Sequence, residues 1–162
     1  MFKIISVCCL ILLESYFSCG RKINVPLTFQ QELSIVVPAG SNTVDLSDVF
    51  NLSSYSTYTN AINKYASNKI ESIKVQSTIF TGQSSIDFDG TMSVGQNITT
   101  PFKVKFPTDG LIKLDFTETQ LNDLTNFVKG SPKIPLKFNG VLSSNSGCSI
   151  TLRVLVDINF YL

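Results

Sequence analysis

Residues 150–162 alternate without a break. Ile150, Leu152, Val154, Val156, Ile158, Phe160 and Leu162 keep one parity, while Thr151, Arg153, Asp157 and Asn159 hold the other. Successive side chains of a strand point to opposite faces, so this is a β-strand with one apolar side. A strand this long has to be paired along most of its length, because an open edge of that size templates aggregation. The chain is therefore expected to build a sheet around this segment, with one face buried.

The same period of two recurs upstream. Ile23, Val25, Leu27, Phe29, Leu33, Ile35 and Val37 share a parity, and Pro26 marks an edge strand, where a missing N–H is tolerated. Val44, Leu46 and Phe50 suggest a short strand, followed by an Asn/Ser/Thr/Tyr loop over residues 51–59. Residues 72–80 place Ile73, Val75 and Ile79 on one face, and a turn over residues 82–85 leads to Ile86, Phe88, Met92 and Val94. Gly90, inside that strand, reads as a bulge or a close backbone approach. Phe102, Val104 and Phe106 alternate with Lys103 and Lys105, and Ile112, Leu114 and Phe116 form the next strand. Ile134, Leu136 and Phe138 open another, with Asn139-Gly140 as a bulge or a tight turn, Val141 and Leu142 beyond it, and a loop over residues 143–147.

Two stretches change to a helical period. Tyr58, Ile62, Tyr65, Ala66 and Lys69 recur at three-to-four spacing, with Thr57 or Thr59 available as a cap. Thr117 and Gln120 match a capping box ahead of Leu121, Leu124 and Val128, and Gly130 stands at the end. The fold class expected is mainly β: an antiparallel two-sheet β-sandwich of about eight strands with two short helices. A barrel with an internal cavity is the alternative.

The amino terminus is of another kind. Met1-Phe2-Lys3 is a short positive start, residues 4–13 are apolar, and Ser18-Cys19-Gly20 follows. This is the layout of a secretory signal peptide. Its apolar run is about half the ~20 residues that a membrane-spanning helix needs. Ser18-Cys19 resembles a bacterial lipoprotein signal, in which the cysteine is acylated and becomes the first mature residue. Tyr16 and Phe17 depart from the Leu-then-small preference of that pattern. The Asn, Ser, Thr and Lys usage of the rest is similar to that of Bacteroidota lipoproteins. The resemblance implies a signal peptide over residues 1–18, a single domain over 19–162, lipidation at Cys19, and a place at the outer membrane or in the periplasm. Two other readings stay open: cleavage after Gly20 with secretion, or Cys19 lost with Cys8 and Cys9 in a discarded leader.

Composition narrows the chemistry. Net charge is +1 with 15% charged residues, and no basic stretch exceeds Arg21-Lys22, so a nucleic-acid partner is not expected. Arg21-Lys22 would lie beside headgroups if Cys19 is acylated. Cys148 stands alone after the leader, which is no disulfide framework. Histidine is absent, which removes the common triads and most zinc sites. An enzyme is not expected, nor a cofactor or metal. The only candidate acids are Asp87, Asp89, Asp115 and Glu118, and Asp45 and Asp48 lack the rest of a calcium loop. Asn51 and Asn97 head N-glycosylation patterns, which matter only in a eukaryotic secretory route.

Tyr55, Tyr58 and Tyr65 form the one candidate interaction surface, for a glycan or an envelope protein. The expected role is a non-catalytic, lipid-anchored envelope module that binds or supports a partner. Its competitors are a carrier of small apolar ligands and a secreted glycan-binding or adhesion module.

Overall fold

The computed structural model describes residues 23–82, 85–96, 98–107 and 110–162. The leader, Cys19, Asn97 and part of the 82–85 turn lie outside the described residues. Among the described residues eight strands run in order: β1 (Asn24–Val37), β2 (Thr43–Asn51), β3 (Ser67–Thr81), β4 (Ile86–Val94), β5 (Ile98–Phe106), β6 (Ile112–Lys113), β7 (Lys133–Leu142) and β8 (Cys148–Tyr161). Helix α1 (Ser56–Lys64) precedes β3, and α2 (Glu118–Gly130) precedes β7.

β8 is central, as its unbroken alternation requires. It pairs antiparallel with the whole of β1 on one side and with β3 on the other. The first sheet has the order β1-β8-β3-β6, and the second β2-β7-β4-β5. Only β4 and β5 follow one another within a sheet, joined at Gly95, whose φ of +69° suits a residue without a side chain. Every other connection crosses between sheets. Two facing four-stranded antiparallel sheets in this order make a β-sandwich of jelly-roll topology. Pro26 does lie on an edge strand, β1.

Alternation places the core. Val154, Ile150, Leu152 and Phe160 of β8 are fully buried against Phe50, Ile134 and Phe138 of the region around the second sheet. Each such side chain contributes about 1.5–3 kcal/mol of transfer free energy. The centre of the sandwich, among Ile35, Phe88, Phe102, Phe106, Phe138 and Leu152, has no room for a water molecule. It is a packed interior, unlike the hollow barrel held as the alternative.

Gly90 is a close-approach site. It faces Gly140 directly across β4 and β7, and a Cβ on it would lie 2.1 Å from Asn139 O and 2.6 Å from Gly140 Cα. The paired glycines leave space on the inner face that the Phe88 ring occupies. Phe88, Phe102 and Phe138 then follow one another tilted and edge-on, with centroids 5.7 and 6.0 Å apart. Asn139-Gly140 is neither bulge nor turn; β7 runs through it in unbroken register with both neighbours.

Several expected elements move. The first helix covers Ser56–Lys64 rather than 58–70, and Tyr55, not a threonine, is its N-cap. Tyr65 is already extended, and Ala66 N–H donates to Tyr161 O, so pairing with β8 captures Lys69 for β3. Part of the expected 51–59 loop is a 3-10 turn, Leu52–Ser54, capped by the Asn51 side chain, with Leu52 fully buried. β6 is only two residues long, because the chain turns after Lys113 toward α2. Ile79 is 60% exposed: a register shift between Ser77 and Ile79 flips the parity and turns Phe80 to the core. The capping box of α2 is present, while Gly130 is its last helical residue and Ser131 the C-cap.

Two stability outcomes follow. Val154→Asp should lower unfolding free energy by about 4 kcal/mol in urea titrations, and Thr151→Asp by less than about 1 kcal/mol. Equal losses would mean the faces are assigned the wrong way round. Gly90→Ala should cost about 3 kcal/mol, since backbone has to shift to admit one methyl; a neutral result would contradict the close approach.

Candidate functional site

The most developed surface feature starts at a β-bulge. β3 shifts register against β8 between Ile70 and Ser72. The Ile70 N–H there is bonded by the Thr125 hydroxyl of α2 at 2.9 Å, and that hydroxyl donates in turn to Leu121 O at 2.7 Å. Thr125 is buried on the apolar stripe of α2 with Leu124 and Val128. The helix is thereby fastened along the edge of β3, shielding backbone that β6 does not reach.

Fastening α2 there leaves a cleft of about 530 Å³ between the helix, the start of β3 and the end of β8. Asn122, Asn126 and Lys129, spaced i, i+4, i+7 on one helical face, line it opposite Asn68 and Lys69 of β3 and Tyr161 of β8. Asn68 Oδ1 is buried and has no hydrogen-bond partner among the described residues. A buried acceptor left so costs about 1–3 kcal/mol. Lys69 pairs with Glu118 at 3.4 Å, whereas Lys129 makes no ion pair among the described residues.

The same bulge brings Ser72 opposite Asp157 on the outer face of the first sheet. Asp157 accepts from Thr28 Oγ1 at 2.7 Å and from Ser72 Oγ, and Lys74 Nζ lies 2.7 Å away. Partial burial alone would raise its pKa, but the bonds from Lys74, Ser72 and Thr28 and the Lys74 charge outweigh that and lower it. Arg153 pairs with Glu32 at 2.9 Å farther along the face. This is a structural ion-pair network with one half-covered carboxylate.

The three tyrosines do not make a common surface. Tyr58 is buried, while Tyr55 and Tyr65 are half-buried and pack on the core. Tyr58 meets Phe29 and Phe160 edge-on, Tyr65 lies 6.0 Å from Phe160, and Tyr55 stacks 6.2 Å from Phe50. Tyr55 also donates its hydroxyl to Gln30 O. Burial pushes the Tyr55 and Tyr58 hydroxyls up in pKa. Their helical spacing marked the face that docks onto the sheet, which aromatic area favours.

The candidate acids are dispersed. Asp87 and Asp89 are exposed on the outer face of the second sheet, Asp89 paired with Lys103 at 2.7 Å. Asp115 is exposed ahead of α2, and Glu118 opens that helix. Asp45 pairs with Lys137, and Asp48 bonds the Val49 N–H. Among the described residues no three His, Cys, Asp or Glu groups gather as metal ligands. Cys148 is buried and free, and burial pushes its thiol up, away from nucleophilic use. The Asn51 side chain is engaged with Ser53, and Cys19 lies outside the described residues.

Asp157, Thr125 and Asn68 were not singled out by sequence. A threonine on the apolar stripe of α2 was a visible signal for Thr125. Asp157 and Asn68 needed the strand register.

The lowered pKa gives Asp157 a definite pH signature. Its stabilising share is complete above the unfolded carboxylate value, about 3.9, and is lost as pH falls through the depressed folded value. Asp157→Asn should cost about 1–2 kcal/mol at neutral pH and flatten the acid limb of stability against pH. An acid limb identical to that of the unaltered protein would show that Asp157 does not drive it.

No family model matches the chain, and no curated protein matches it. Among solved structures it is similar to a mud crab tombus-like virus structure at 11% identity and a TM-score of 0.48, covering 88% of this chain and 82% of that one. It is also similar to the decameric BFDV capsid protein, at 18% identity and a TM-score of 0.44, covering 86% and 99%. Turnip yellow mosaic virus follows at 13% and 0.33, covering 85% and 96%. With identities this low and no score reaching one half, nothing about function follows from these likenesses.

Proposed function

We propose that the protein is an exported, lipid-tethered, non-catalytic module of the cell envelope that binds a polar partner on its outside. The observation that carries the binding role is the cleft beside α2, with Asn122, Asn126 and Lys129 exposed along it. The packed interior supports external recognition over carriage of an aliphatic ligand, which would need internal volume. Export and tethering rest on the leader and on Ser18-Cys19. Among the described residues no helix is long and apolar enough to cross a membrane.

Strand order favours one second reading. Jelly rolls serve as lectin domains and also as repeating units of viral shells, so assembly of copies into a particle is the competing role. Fold alone does not choose between them. Light scattering across a concentration series separates the two: a monomer throughout removes the shell reading.

The tether has its own test. Mass spectrometry of the mature protein should show an acylated Cys19 at the amino terminus, and Cys19→Ala should move the protein from the membrane to the soluble fraction. An unmodified terminus at Cys19 or Arg21, or a Cys19→Ala protein that stays with membranes, overturns lipid anchoring.

A further inference from the structure

The cleft beside α2 is chemically specific enough to name its ligand class. Its lining is mixed: Asn122, Asn126, Lys69 and Lys129 supply polar groups, and Tyr161 and Leu162 supply apolar surface. The exposed carboxamides of Asn122 and Asn126 each offer donors and an acceptor, the pattern that adjacent hydroxyl groups satisfy. The volume falls within the roughly 300–1,000 Å³ of small-molecule sites.

Charge selects further. No acidic side chain is among the residues that line the cleft, and Lys129 lacks an ion-pair partner among the described residues. An anionic group is therefore favoured over a cation. Lys129 stands in the last turn of α2, where the helix dipole presents its negative end. A doubly charged phosphate is disfavoured there more than a singly charged carboxylate. Lysine also acts as a point charge and offers no bidentate fork.

From this we infer that the cleft binds a saccharide bearing a carboxylate, such as a uronic acid. Its hydroxyls bond Asn122 and Asn126, and its carboxylate meets Lys129. The inference rests on the binding-module reading above and deepens it.

The test is calorimetric and NMR titration of the full mature protein with trigalacturonic acid, neutral cellotriose and inorganic phosphate. Trigalacturonate should bind and shift the amides of β3 and α2. Phosphate should not compete, and cellotriose should bind at least about tenfold more weakly. Lys129→Ala should erase the preference for the acidic sugar. Changing Asn122 and Asn126 together to Ala removes the two exposed carboxamides of α2, so it should abolish binding with an unchanged or raised melting temperature. The inference is overturned if neither sugar binds, if phosphate competes equally, or if both variants bind as the unaltered protein does. Capture of envelope material by the tethered protein is scored separately. Capture that survives in the variant with Asn122 and Asn126 changed to Ala keeps the binding module while removing this site, and absence of all capture by the unaltered protein removes the module itself.

Discussion

Everything in this sandwich hangs on β8 being hydrogen-bonded on both sides. Its inner side chains are buried from Cys148 to Phe160, and its outer ones are half-covered by β1 and β3. Such a strand has no free backbone to solvate, so its polar groups stay satisfied while its apolar face closes on the second sheet. Pairing with β8 also decides events elsewhere. It ends α1 at Lys64 by drawing the following residues into β3, and it leaves β1 as the edge that accommodates Pro26.

The second sheet solves a different problem. Gly90 and Gly140 sit opposite each other with no side chains between them, and the Phe88 ring folds over the gap. That arrangement brings three phenylalanines together and closes the space between the sheets. At the other end of the sandwich, Phe29 and Phe160 gather Tyr58 beneath α1. Both clusters rely on aromatic rings meeting tilted or edge-on, where their quadrupoles attract.

The bulge between Ile70 and Ser72 links the core to the surface. One inserted residue sets Ser72 against Asp157, hands the Ile70 N–H to Thr125, and so seats α2 along the sheet edge. The cleft exists because the helix is held at that edge instead of over a sheet face. Bulges re-aim side chains where a regular ladder would repeat itself. Here one irregularity produces both the ion-pair network and the candidate binding surface.

Sequence alone determined the faces of the strands, because the period of two is a local property of each segment. The long apolar parity of β8, the inward Phe and Ile positions of β4 and β5, the α2 capping box and Gly90 as a close approach were all legible that way. The absence of histidine was legible too, and it bounded the chemistry. Tertiary structure alone decided what depends on residues far apart in the chain. Strand order set the jelly roll, the bulges flipped Ile79 outward, and the packing of α1 turned Tyr58 from a surface candidate into core. Asp157 and Asn68 acquired their meaning from neighbours more than 80 positions away and from a helix on the sheet edge, respectively. A one-residue change of register moves a side chain to the opposite face, and no local pattern records where such a change occurs.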